Sequence, residues 1–311
     1  MSAATIAKGL RWIGMPVFLA ATAMGKPLVA VATPFIMLPT LALLYKRHTL
    51  PQDRQADLNS LTYIYFGSIF GIAGVVLAQL LIVRAITKPL FGDQAATFMT
   101  ELGRSVVKDL TPDQVALRAK LASSWQNWVF LVAMTYVAAG GVEELLKYAP
   151  IAYLRRRQRQ SADKKAIPKE VYLQYAVAAG LGYSTIENMA FARVAVAAGE
   201  SGWKLALTIF ERVVAGSPGH CLTAALLAIN VAHMGEYRTT PGNLWRILGG
   251  PILWHGTFDF MLFGLSALEG NVGWIHPEDP WRIAGMILVA EGVQLSLFWQ
   301  TISHLSALNI V

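Results

Sequence analysis

Residues 61–83 read LTYIYFGSIFGIAGVVLAQLLIV, a run of 23 residues without a charge that Arg84 brings to an end. The hydrocarbon core of a bilayer takes about 20 apolar residues to cross as a helix. A lone segment in lipid must satisfy its own backbone hydrogen bonds, and only a helix does so. This stretch is therefore read as a membrane-spanning helix. The composition around it agrees, with 55% hydrophobic and 14% charged residues. Soluble domains carry about 25% charge, so a water-facing exterior would be hard to build and most soluble classes are excluded.

Working outward, the apolar piece 12–24 is short, and Gly25-Lys26-Pro27 separates it from a longer run at 28–45 that stops at Lys46-Arg47-His48. Downstream lies a polar insert, 92–124. Phe98, Met99, Leu102 and Val106 recur there at helical spacing, and Thr111-Pro112-Asp113-Gln114 reads as a capping box with Pro at the first helical position. Two amphipathic helices on the membrane surface are expected. Further apolar segments follow at 125–154, 171–198, 203–216, 220–233, 244–268 and 283–303, with Gly216-Ser217-Pro218-Gly219 breaking the third from the fourth. The expectation is an all-α, polytopic integral membrane bundle of about eight transmembrane helices with short amphipathic surface helices. It divides into N-terminal membrane helices (1–91), the surface insert (92–124) and a catalytic membrane core (125–311). No repeat of solenoid period is present.

The net charge is +7, but the basic residues sit in short runs beside apolar stretches, as in Lys46-Arg47 and Arg155-Arg156-Arg157-Gln158-Arg159. Such runs mark cytoplasmic helix ends rather than a nucleic-acid surface, so 46–60 and 155–169 are placed inside and the insert on the opposite side. Lys8 and Arg11 precede an apolar stretch in the manner of a signal peptide. No small-residue cleavage site leads from it into a polar sequence, so the segment is read as retained. The single Cys221 excludes an intramolecular disulfide and a paired-cysteine zinc or redox site. Chemistry must come from His and carboxylates.

A charge at the centre of a bilayer costs about 2.5–3.5 kcal/mol on insertion scales, so ionisable residues inside apolar helices need an explanation. Glu211 with Arg212 or Arg193, and Glu291, read as ion pairs or interface residues; His233, His276 and His304 fall at expected helix ends, where solvent serves them. Four places differ. In Gly140-Gly141-Val142-Glu143-Glu144-Leu145-Leu146-Lys147, both acids can reach Lys147, at i,i+4 and i,i+3, and Lys147 can keep one ionised. In Gly182-Tyr183-Ser184-Thr185-Ile186-Glu187-Asn188, Glu187 follows a glycine that permits close helix approach. His220 opens a helix after the Gly/Pro break, and His255 and Asp259 share one helix face a turn apart. Each alone is as readily structural as functional. Together they place four carboxylates and two imidazoles in four spans, more than an apolar bundle leaves uncompensated.

A divalent metal is the economical explanation. Imidazole and carboxylate are ordinary zinc ligands, a bound dication makes water acidic near neutral pH, and a neighbouring carboxylate can take the proton. The rival intramembrane chemistries fit poorly. HExxH and a Gly-x-Gly-Asp aspartate motif are absent, Gly199-Glu200-Ser201-Gly202 falls between spans as a turn, and burial disfavours the thiolate of Cys221.

The four motifs resemble the PrsW-type intramembrane proteases, within the larger superfamily of CAAX-prenyl endopeptidases and bacteriocin-processing (Abi) proteins. That family pattern is Glu-Glu-x-x-Lys, Phe-x-x-x-Glu followed by Asn, Gly-His opening a helix, and His-x-x-x-Asp. Here it is matched in order by Glu143-Glu144-Leu145-Leu146-Lys147, Tyr183 to Glu187-Asn188, Gly219-His220 and His255 to Asp259, over residues 125–265. Tyr183 keeps an aromatic ring where the family has Phe. The resemblance implies a membrane-embedded endopeptidase acting on a membrane-associated protein or peptide at the lipid bilayer. In that setting Glu143 and Glu144 supply the general base and a ligand, in either order. Glu187, His220 and His255 hold the metal, zinc by donor type; Asp259 is a ligand or its partner, and Lys147 serves the acidic pair. Water activated by Glu and His without metal is the alternative chemistry. A different class is a non-catalytic membrane protein, or a cation or proton transporter using the same groups; a transporter should show repeated halves with broken helices, and this sequence shows none. A true CAAX-prenyl endopeptidase would carry His where Glu187 stands.

Overall fold

The computed structural model describes residues 2–104, 106–160, 168–234, 241–277 and 279–307, and among these the regular structure is entirely helical. The helices are α1 (Ala3–Gly9), α2 (Met15–Ala23), α3 (Pro27–Thr49), α4 (Leu58–Phe91), α5 (Ala95–Leu102), α6 (Pro112–Ser123) and α7 (Trp125–Ala133). They continue as α8 (Val142–Gln160), α9 (Lys169–Ala197), α10 (Gly202–Glu211), α11 (Ser217–Met234), α12 (Pro241–Leu268) and α13 (Pro280–Ala307). The expected break after α2 is present: Gly25 takes a left-handed φ of 72° and Pro27 opens α3. Of the basic linker at 155–169, residues 161–167 lie outside the described residues.

Among the described residues, five helical runs are long and apolar enough to cross a bilayer: Pro27–Thr49, Gln52–Leu102, Trp125–Arg156, Gly202–Met234 and Pro280–Ser306. A helical membrane bundle is thus present, with fewer runs than the expected eight meeting this measure among the described residues. One reason is the segment 203–233, expected as two helices and found as one. Pro218 lacks an N–H and its ring crowds the carbonyl four residues back. The chain accommodates it with a wide π-helical turn, Arg212–Gly216, where the Ser217 N–H donates to the Arg212 carbonyl. The other reason is α9 and α12, which have 29 and 28 residues but carry polar residues of the motifs and fall below the apolarity of a free-standing span.

Two compact units are defined. Unit 1 comprises Met1–Ala73, Glu144–Pro251 and Leu297–Val311; unit 2 comprises Gly74–Glu143 and Ile252–Ser296. In unit 1, α9 packs on α11 and α3. Val29, Ala32 and Ile36 of α3 meet Met189, Ala192 and Ala195 of α9 in one apolar cluster. Glycines set how near the helices come. A Cβ on Gly180 would stand 2.7 Å from the His220 carbonyl oxygen, and one on Gly182 would stand 2.3 Å from that of Tyr65. Gly182→Ala is therefore expected to force α9 off α4 and destabilise the protein by about 1–3 kcal/mol. Gly67→Ala, where a Cβ meets nothing within 4 Å, serves as the control. Equal thermal midpoints for the two variants in detergent would contradict the close approach.

In unit 2 the insert folds as α5 and α6. The capping box forms as expected: the Thr111 hydroxyl accepts from the Gln114 N–H, and the Gln114 side chain accepts from the Thr111 N–H. The apolar stripe differs from expectation in its reach, since α5 ends at Leu102 and Val106 lies beyond it, exposed. Its inner part packs against protein. Phe98 is fully buried, its ring 3.8 Å from that of Phe91 and 4.9 Å from that of Phe130. The insert is tied down further by buried Arg118. Its guanidinium donates to the Glu101 carboxylate (2.9 Å) and carbonyl (2.8 Å), to the Asn271 side chain (3.2 Å) and to the Val272 carbonyl (2.5 Å).

Candidate metal centre

Glu143 and Glu144 are adjacent on α8, and successive helix positions diverge by about 100°, so the two acids face different neighbours. Glu144 turns toward α11 within unit 1. Its Oε1 accepts from Lys147 Nζ (2.5 Å) and from Thr223 Oγ1 (3.0 Å), and Lys147 also donates to Thr223 (3.2 Å). Glu144 and Lys147 are both 0% exposed, and Lys147 Nζ stands 5.8 Å over the Tyr183 ring. The i,i+3 pairing expected from the sequence is thus made by Glu144.

Also in unit 1, His220 occupies the first turn of α11, with Nε2 3.0 Å from Glu187 Oε2. The same carboxylate oxygen accepts from Arg212. Arg212 in turn donates to Asn188 Oδ1 (2.9 Å) and lies over the Phe191 ring (4.2 Å). Asn188 Nδ2 donates to Ser184, Ser217 and the Arg212 carbonyl. The Tyr183 ring packs 5.1 Å from that of His220. An imidazole hydrogen-bonded to a clamped carboxylate through one nitrogen presents the other in a fixed direction, the usual support of a metal-bound histidine.

Unit 2 holds the second cluster. Glu143 Oε1 accepts from Gln79 Nε2 (3.0 Å), while Oε2 lies 3.4 Å from His255 Nε2. The same His255 nitrogen is 3.5 Å from Asp259 Oδ2. Glycines of two motifs bring these helices together. A Cβ on Gly140 would stand 3.1 Å from the Ile252 carbonyl oxygen, and one on Gly256 would stand 2.4 Å from the Tyr136 ring. Tyr136 and Thr257 share a hydrogen bond of 2.9 Å.

These separations test the fit of a metal. They exceed the usual 2.7–3.2 Å of an N–H···O hydrogen bond. Two ligands each about 2.0–2.1 Å from one zinc, at the tetrahedral angle, stand about 3.3–3.4 Å apart. The spacing around His255 is that of neighbouring ligands. In unit 2 the buried donors at this spacing are Glu143 and His255, and carboxylate with imidazole is an ordinary zinc donor combination.

The residues anticipated from the sequence thus fall into two groups: Glu144, Lys147, Glu187 and His220 in unit 1, and Glu143, His255 and Asp259 in unit 2. Sequence reading missed several partners. Arg212 was paired with its neighbour Glu211, but adjacent helix positions do not face each other, and its carboxylate partner is Glu187. Arg193 donates to the Thr22 and Met24 carbonyls. The signal for Arg212 was its position eight residues before His220, about two turns away on the same face. Gln79 and Thr223 were signalled only as lone polar residues in apolar stretches.

Fold and centre together define a polytopic membrane protein with buried carboxylate–imidazole clusters, a class that holds intramembrane hydrolases and ion transporters alike. The model of the PrsW family intramembrane metalloproteases matches residues 90–277, more than half of the 311 residues, and the chain belongs to that family. It is a membrane-embedded metalloprotease and an integral multi-pass membrane protein. No curated protein and no solved structure matches the chain. The family match contains all four motifs and begins at residue 90. It therefore takes in the insert that the motif reading, confined to 125–265, left outside.

Proposed function

We propose that the protein is an endopeptidase that hydrolyses a peptide bond of a membrane-associated protein within or next to the bilayer, with zinc held in unit 2 through Glu143 and His255. The observation that carries this reading is the placement of His255 Nε2 3.4 Å from Glu143 Oε2, the spacing of two ligands on one zinc. A divalent ion bound there supplies Lewis-acid polarisation of the scissile carbonyl and lowers the pKa of a water to near 7.

The chain's own residues do the rest. Glu187, clamped by Arg212, orients His220, a different role from the ligand expected of it. Asp259, with a side chain 23% exposed against 6% for Glu143, is the carboxylate open to water and takes the proton during attack, returning it to the leaving amine. The Glu144–Lys147 pair holds α8 in register. The order of the four motifs also supports a place in the CAAX-prenyl endopeptidase and Abi superfamily.

Reconstitution into proteoliposomes with a library of membrane-anchored peptides tests the reading. Cleavage near the bilayer boundary, lost with 1,10-phenanthroline and restored by zinc, is expected. Cleavage that persists through complete chelation would contradict the metal, and absence of any cleavage by the zinc-loaded protein would contradict the peptidase assignment.

A further inference from the structure

Gln79 lies outside residues 90–277, in the apolar run that Arg84 ends. Its helical neighbours Val76, Leu77, Leu80 and Leu81 are exposed, as on a lipid-facing surface, whereas Gln79 is half-buried and donates to Glu143 Oε1 at 3.0 Å. An amide in an apolar span is costly unless it is hydrogen-bonded, and leucine would serve the span better. We infer that Gln79 is a positioning residue for the metal-ligating carboxylate of Glu143, supplied by the part of α4 that precedes the family-matched region.

This inference rests on the proposed metal centre. The two oxygens of Glu143 have different surroundings: Oε1 receives the Gln79 amide, and Oε2 faces His255. A carboxylate hydrogen-bonded through one oxygen is held to single-oxygen ligation through the other, and its rotamer is fixed before the metal arrives. Partners of this kind to ligating carboxylates commonly contribute about 10–100-fold to metal affinity or activity. The competing explanation is that the amide serves only as a polar link between helices, worth about 0.6–2 kcal/mol of stability.

Gln79→Met keeps length and volume and removes the donor; Gln79→Leu is a second apolar variant suited to the span. Two readouts are taken in detergent. Zinc affinity, by chelator competition, is expected to weaken about 10–100-fold in both variants, with the thermal midpoint of the metal-free protein retained. The infrared carboxylate stretch of Glu143, assigned by its loss in Glu143→Gln, is expected to shift in the metal-free variants. Unchanged zinc affinity together with an unchanged band overturns the inference, as does a loss of stability with both readouts intact. If the unaltered protein takes up no zinc, the metal reading fails, and the infrared band alone then decides whether Gln79 positions Glu143.

Discussion

Asp259→Asn is expected to leave zinc bound and to lower the turnover of a cleaved peptide by about 10²–10⁴-fold, the usual contribution of a general base. The substitution preserves shape and removes only the proton-accepting charge, 3.5 Å from His255 Nε2. His255→Ala should behave differently, because it deletes a ligand. Both metal content and activity should fall together, and Glu143→Gln should follow it. Turnover and metal content measured on the same preparations separate the roles. Full turnover in Asp259→Asn would remove Asp259 as the base, and full zinc content in His255→Ala would remove His255 as a ligand.

Lys147→Met is expected to destabilise the protein by about 3–5 kcal/mol, the cost of leaving one member of a buried ion pair without its partner. Glu144 is fully buried, and Lys147 is its partner at 2.5 Å. Thr223 would still donate to the carboxylate, but a hydroxyl does not neutralise it. The double variant Glu144→Gln/Lys147→Met should recover most of the loss, since the strandable charge is gone. Reversible unfolding in mixed detergent micelles measures both variants, the single change Glu144→Gln and the unaltered protein. A double variant as unstable as the sum of its single changes would show that the two residues do not act as a unit.

Much of this arrangement was legible because membrane segments carry two strong signals. A run such as 61–83 has no other stable destination than a helix in lipid, and an ionisable residue inside such a run has no inexpensive place. Those signals pointed to Glu143, Glu144, Lys147, Glu187, His220, His255 and Asp259. They could not divide the residues between clusters, because the facing direction of Glu143 and Glu144 depends on the packing of α4, α11 and α12. The segment 203–233 was read as two helices because a Gly-Ser-Pro-Gly stretch reads as a break, whereas a π-helical turn absorbs the proline and joins α10 to α11 in one helical run. Periodicity in the insert identified an apolar stripe but could not say what covers it, and Phe98 packs between Phe91 and Phe130. Arg118 gave no signal of its burial, because its partners Asn271 and Val272 lie more than 150 positions away in the chain.

The central claim is that His255 of α12 and Glu143 of α8 ligate one metal ion. X-ray absorption on the zinc-loaded protein tests it most directly, since imidazole gives a characteristic outer scattering pattern. The expected spectrum shows only nitrogen and oxygen neighbours at about 2.0–2.1 Å, with an imidazole contribution that is reduced in His255→Ala. A spectrum with no imidazole, or one unchanged in His255→Ala, would contradict a centre built on Glu143 and His255.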